Sequence, residues 1–172
     1  MILYHGSKNK FDKFNFDYKG LNGSSEGDGI YLTTSRKIAY ENYASTDGYL
    51  YTVKLNEGKE LSSEKITLSK NDIKIIIEKL GAYEVLNDYQ DVDYYGIDYV
   101  MNYAIDKLLS NDNDNDIITD LCFTCGDEKV LNVISNLGYT HTKNKATWGN
   151  NKEPHIIYVV YDLNALQIIN VE

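Results

Sequence analysis

Two hydrophobic patterns divide the chain. Short alternating or continuous apolar runs bounded by glycine turns occupy both ends, and stripes of helical spacing fill the middle. Met1 to Ser7 reads as a first strand closing in a glycine turn. A second strand, Gly29-Ile-Tyr-Leu-Thr-Thr34, leads into a helix from Ser35 to about Ser45, capped by Thr34 or Ser35. There Ile38, Ala39, Asn42 and Tyr43 fall on one face, with Lys37 and Glu41 one turn apart outside. After Asp47-Gly48, Tyr49 to Leu55 alternates as a strand should. Near the other end, Ile156 to Tyr161 is the most strand-like run, Asp162-Leu-Asn164 makes a turn, and Leu166 to Val171 offers a last strand.

Between these ends the spacing changes. Ser69 to Asp72 is a capping-box start, Ile73, Ile76, Ile77 and Leu80 form a stripe, and Gly81 ends it. A second helix runs from about Tyr95 to Leu109, with Ile97, Val100, Met101, Ala104, Ile105 and Leu108 inward. Ile117 to Cys122 and Lys129 to Leu137 are two more, the last stopping at Gly138. Polar residues from Tyr139 to Lys152 read as a loop. The expected organisation is one domain over 1–172, with a helical insertion at about 68–138 whose stripes are packing faces rather than a cofactor box.

Composition adds to this. A chain of 172 residues buries a core without disulfide or metal support. Sixteen tyrosines supply flat rings with polar tips, suited to wet clefts as well as to a core. The net charge of −9 opposes phosphate-backbone binding, so nucleic acid is a poor partner, and Lys8, Lys10, Lys13 and Lys19 read as solvation of a loop. The N-terminus becomes polar too soon for a signal peptide and no apolar run reaches membrane-spanning length, which leads to an expectation of a cytoplasmic protein.

Two motifs invite metal or redox chemistry and fall short. Cys122-Phe-Thr-Cys125 follows a polar acidic segment and has no second pair, so two partly buried thiols in a helical region are expected. Asp112, Asp114 and Asp116 alternate as in a calcium loop, but the sixth position is Ile117 rather than glycine and the twelfth is Phe123 rather than glutamate. A solvated helix linker is expected there, and no metal.

The remaining motifs lie in the strand-rich ends. His5-Gly-Ser7 closes the first strand, and Gly29-Ile-Tyr31-Leu-Thr follows about 25 residues later, leading into the Ala/Tyr helix. Tyr158-Val-Val-Tyr-Asp162 completes the set. This constellation, over Met1 to Leu55 and about Thr140 to Glu172, resembles the ADP-ribosyltransferase superfamily of the His-Tyr-acidic type. The resemblance implies an α+β fold, a split β-sandwich of two small sheets, with NAD bound as substrate in a cleft between them. It implies that His5 bonds a ribose hydroxyl, that the Gly6 backbone holds the nicotinamide carboxamide, and that Tyr31 stacks on the nicotinamide ring. Ser7 stands where relatives carry Ser or Thr, and Tyr43, or Tyr40 in another helix register, would supply a second aromatic wall.

The family's glutamate falls immediately before the tyrosine that matches Tyr158, and the residue there is Ile157. Three readings follow: Glu153 or His155 replaces the carboxylate, Ile157 marks a mono-ADP-ribosylating His-Tyr-Ile enzyme, or the domain binds without turnover. Trp148, in the loop before that strand, is the expected contact for a protein acceptor.

The leading expectation is an NAD-dependent mono-ADP-ribosyltransferase acting on a host protein, of the toxin, effector or phage-encoded kind. Against it stand a degenerate nucleotide- or protein-binding module, and an acidic protein that blocks a host enzyme by mimicking nucleic acid.

Overall fold

The computed structural model describes residues 1–16, 29–56, 58–81, 83–146 and 154–172. Two compact units emerge, one made of 1–60 with 139–172 and the other of 61–138.

The first unit carries a seven-stranded sheet in the order β4-β5-β6-β2-β1-β3-β7. In chain order the strands are β1 (Ile2–Ser7), β2 (Ile30–Thr33), β3 (Tyr49–Leu55), β4 (Lys59–Leu61), β5 (Tyr139–Ala146), β6 (His155–Val160) and β7 (Leu166–Val171). The α+β fold expected from the sequence is borne out. Antiparallel registers are continuous on either side of one seam: β1 runs along β3 from Ile2↔Lys54 to Ser7↔Tyr49, and β2 runs along β6 from Ile30↔Val160 to Thr33↔Ile157. Between β1 and β2 the register is carried by Tyr4↔Thr33. The strands thus form one sheet, in which the β4-β5-β6-β2 and β1-β3-β7 sets meet along that seam rather than two separate small sheets.

Alternation sorts the residues onto two faces. Leu3, Ile30, Leu32, Tyr51, Val53, Tyr158 and Val160 form the core of one face, with Phe11, Phe14 and Phe16 packed against it. Rings so closely spaced along the chain need a shared apolar surface, and this face supplies it. The opposite face takes Gly6, Tyr31, Thr33, Ile157 and Val159 by the same registers. A short helix α1 (Arg36–Ile38) runs over this face into a π-helical turn, Ala39–Ala44. Ser35 is its N-cap, accepting from the Ile38 amide at 3.2 Å. The π turn puts Ala39 and Ala44, five residues apart, both in the interior.

One expected loop is a strand. Tyr139–Ala146 pairs with β6 from His141↔Val160 to Ala146↔His155. Its few apolar residues concealed it, because Thr140, His141 and Thr142 are buried polar positions: Thr142 Oγ1 meets the Tyr161 hydroxyl at 2.9 Å.

The second unit contains α2 (Lys70–Leu80), α3 (Tyr83–Tyr89), α4 (Val92–Tyr95), α5 (Ile97–Leu108), α6 (Asp114–Cys125) and α7 (Asp127–Asn136). The Ser69/Asp72 capping box forms and Gly81 ends α2 in the left-handed region at φ 73°. α2 packs on α5 and α7, α3 on α5 and α6, and α6 on α7. Ile97 is 56% exposed rather than inward, because Gly96 at φ 83° starts α5 afresh and rotates its first residue outward. Cys122 and Cys125 are reduced cysteines of α6, one buried and one partly so, as expected.

Asp114 is not part of a solvated linker. It is fully buried, and its carboxylate accepts from the amides of Ser62, Thr67 and Leu68 at 2.9, 2.7 and 3.0 Å, and from the Thr67 hydroxyl. It therefore binds the segment before α2 to the start of α6. No group of His, Cys, Asp and Glu suited to a metal occurs among the described residues, and no helix there is long and apolar enough to cross a membrane.

Candidate active site

The seam between β1 and β2 is where the sequence-marked residues meet. Met1 and Leu55 exchange both main-chain bonds, so by alternation Leu3, His5 and Ser7 bond to β3 while Tyr4 and Gly6 direct their amides and carbonyls toward β2. The register Tyr4↔Thr33, continued by two residues, sets Gly6 opposite Tyr31. The acceptor at that level, the Tyr31 carbonyl, is met by the His5 side chain, with Nδ1 at 2.7 Å.

A carbonyl oxygen only accepts, so Nδ1 carries the proton. Burial among aromatic rings pulls the His5 pKa below the usual histidine value, and the bond to Tyr31 offsets this only in part. The imidazole is therefore neutral near pH 7, and its Nε2 presents a lone pair that accepts a hydroxyl proton. Phe14, Phe11 and Tyr51 surround the ring, with centroids 5.3, 5.9 and 6.0 Å away in edge-on geometry. Phe11 stacks on Tyr51 at 4.2 Å, and the Tyr51 hydroxyl accepts from the Phe11 amide at 2.7 Å. Tyr51 was not singled out in the sequence; its place directly across from His5 in an alternating strand was the available signal.

His5 and Tyr31 meet through ring and main chain, not ring and ring. The Tyr31 side chain belongs to the opposite face, which it shares with Gly6. A Cβ on Gly6 would lie 2.0 Å from the Ala39 carbonyl oxygen, 2.6 Å from the Ala44 amide and 2.8 Å from Tyr43 Cβ. Only glycine lets the π turn come this close. Tyr43 is thereby set against Gly6, while Tyr40, a turn earlier, is 43% exposed. Ser7 is half-buried, and its Oγ accepts from the Asn9 amide at 3.1 Å.

Ile157, where the resemblance expects the family's carboxylate, is 3% exposed, opposite Thr33 on β2 and Asn144 on β5, and on the same face as Tyr31. His155 lies two residues earlier on that face, buried, opposite Ala146. Glu153 and Trp148 lie outside the described residues.

The α+β sheet with His-Gly on β1 and Tyr on β2 is the arrangement that the resemblance to the ADP-ribosyltransferase superfamily implies. The chain belongs to the family described as ADP-ribosyltransferase in polyvalent proteins, whose model matches residues 1–164. Searches of curated proteins and of solved structures found no match.

Proposed function

We propose that the chain is an NAD-dependent mono-ADP-ribosyltransferase that modifies a protein acceptor. Family membership gives ADP-ribose transfer, with NAD as the substrate such enzymes use. The observation that supports the finer reading is the seam itself, where Gly6 stands opposite Tyr31 and the His5 imidazole, from the other face, bonds the Tyr31 carbonyl.

Breaking the bond between nicotinamide and ribose proceeds through an oxocarbenium-like state, so the protein must grip the leaving base and fix the ribose. In this reading the Gly6 amide and carbonyl hold the carboxamide. Tyr31 forms one wall for the nicotinamide ring, and Tyr43 or Tyr40 the other. Neutral His5 accepts a ribose hydroxyl through Nε2, held in orientation by its bond to Tyr31. Ser7 lines the turn beyond. Ile157 removes the carboxylate that would activate an acceptor ribose for chain extension, which favours single transfer over polymer growth. His155 and Glu153 are the candidates to replace that carboxylate, and Trp148 the candidate for acceptor contact. A cytoplasmic effector or phage-encoded modifier of host proteins fits this activity.

The buried Ile157 also favours a second reading, a domain that binds a nucleotide without turnover. Isotope-labelled NAD incubated with the chain and a cell lysate separates the two. The proposal expects a labelled protein carrying single ADP-ribosyl groups, lost in Tyr31→Ala; nucleotide-induced thermal stabilisation with no labelled protein would favour the binding module.

A further inference from the structure

We propose that the α4–α5 face of the helical unit is a docking surface for a lysine- and arginine-rich segment of another protein. Four tyrosines and an isoleucine of this face are turned outward: Tyr94 is 79% exposed, Tyr95 47%, Ile97 56%, Tyr99 54% and Tyr103 40%. They form a connected surface rather than scattered rings. Tyr94 meets Tyr95 edge-on at 4.7 Å, and Tyr95 stacks on Tyr99 at 5.2 Å across the Gly96 break. Tyr103 continues the stripe one turn along α5 and meets Tyr89 at 6.5 Å. Contiguous exposed aromatic surface marks an interaction site, and tyrosine is favoured there because it buries a large area at low entropic cost.

The charge around the rings selects the occupant. From residue 80 to residue 105 the chain has five acidic residues and no Lys, Arg or His, while Asp106, next along α5, is paired with Lys70. Asp93 and Asp98 are exposed beside the tyrosines, one on each side of the α4–α5 junction. Stacked phenol rings flanked by carboxylates attract guanidinium and ammonium groups twice, through the ring faces and through ion pairing. The same charges disfavour other occupants. A second copy of the chain would bring this acidic face against itself, since a two-fold interface is self-facing. Nucleic acid and anionic lipid would be repelled.

Binding of a 15-residue peptide of alternating arginine and glycine to the full chain, followed by amide chemical shifts and by calorimetry at two salt concentrations, tests this. The expected result is shift changes concentrated in residues 92–108 and an affinity at least tenfold weaker in both Asp93→Asn/Asp98→Asn and Tyr95→Ser/Tyr99→Ser. Asp112→Asn/Glu128→Gln, which removes two exposed carboxylates elsewhere in the unit, should leave the affinity unchanged. Circular dichroism of each variant separates lost binding from lost folding, and the charge pair leaves every ring in place. Shifts centred on other residues, equal weakening in the control variant, or a concentration-dependent dimer abolished by Tyr95→Ser/Tyr99→Ser would overturn the proposal.

Discussion

The His5 imidazole donates from Nδ1 to the Tyr31 carbonyl oxygen at 2.7 Å, so a side chain of β1 takes an acceptor of β2 at the level where the strands' own register gives out. One bond thus fixes a tautomer, orients a ring and ties two strand sets together. Replacing His5 by Ala removes it along with the ring contacts to Phe14, Phe11 and Tyr51. The expected loss is about 2 kcal/mol of stability, from one hydrogen bond and a partly filled cavity, measured by urea unfolding. An unchanged midpoint would mean that the seam is held by something else.

The same histidine makes stability depend on pH. Its folded pKa is lowered, chiefly by burial, and so is that of His141, buried on β5 and only partly offset by Glu60. Each binds a proton more readily when the chain is unfolded. Their contribution is therefore complete above the unfolded value of about 6.5 and is lost as pH falls through the lower folded values. Unfolding free energy measured from pH 7.5 to 5 should fall, with a limiting slope of about 1.4 kcal/mol per pH unit for each histidine. His5→Gln and His141→Gln should each flatten the curve.

Gly6→Ala tests the close approach of the π turn. The added methyl meets main-chain atoms of Ala39 and Ala44, which cannot swing aside as a side-chain tip could. A loss of about 3 kcal/mol is expected, near the upper end for overpacking, together with lost NAD-induced stabilisation. Gly48→Ala, whose Cβ would lie 1.9 Å from the Ala44 carbonyl oxygen, should destabilise similarly from the other end of the turn.

Asp114→Ala leaves three amides near α2 without their acceptor, at a cost of about 4 kcal/mol. Hydrogen exchange should accelerate in residues 62–68 first. Addition of calcium to the wild type should leave its unfolding temperature unchanged, because the carboxylate is already occupied by amides.

How much of this the sequence disclosed depended on whether a residue's role was local. The Ser69/Asp72 cap, the stripe from Ile73 to Leu80 and the Gly81 stop are set by neighbours within a turn, and α2 follows them residue by residue. His5, Gly6, Tyr31 and Tyr43 were picked out through the family resemblance, and the structure sets Gly6 opposite Tyr31 and against Tyr43. What escaped was decided at long range. β5 is written in Thr, Asn and Lys because its partners across the sheet, such as Tyr161, satisfy polar groups. Asp114 looked solvated because Ser62 and Thr67, about fifty residues earlier, supply the donors that bury it. That His5 would address the Tyr31 main chain, with the two rings on different faces, follows from the register alone, which no spacing within one strand reveals.

Release of free nicotinamide from NAD by the purified chain, with lysate as the source of acceptor, tests the transferase reading most directly. The expected result is nicotinamide in proportion to ADP-ribosyl groups gained by an acceptor protein, with Tyr31→Ala and His5→Ala slower by about 100-fold while each remains folded. Nicotinamide no faster than in a protein-free control, or a Tyr31→Ala variant as active as the wild type, would contradict it.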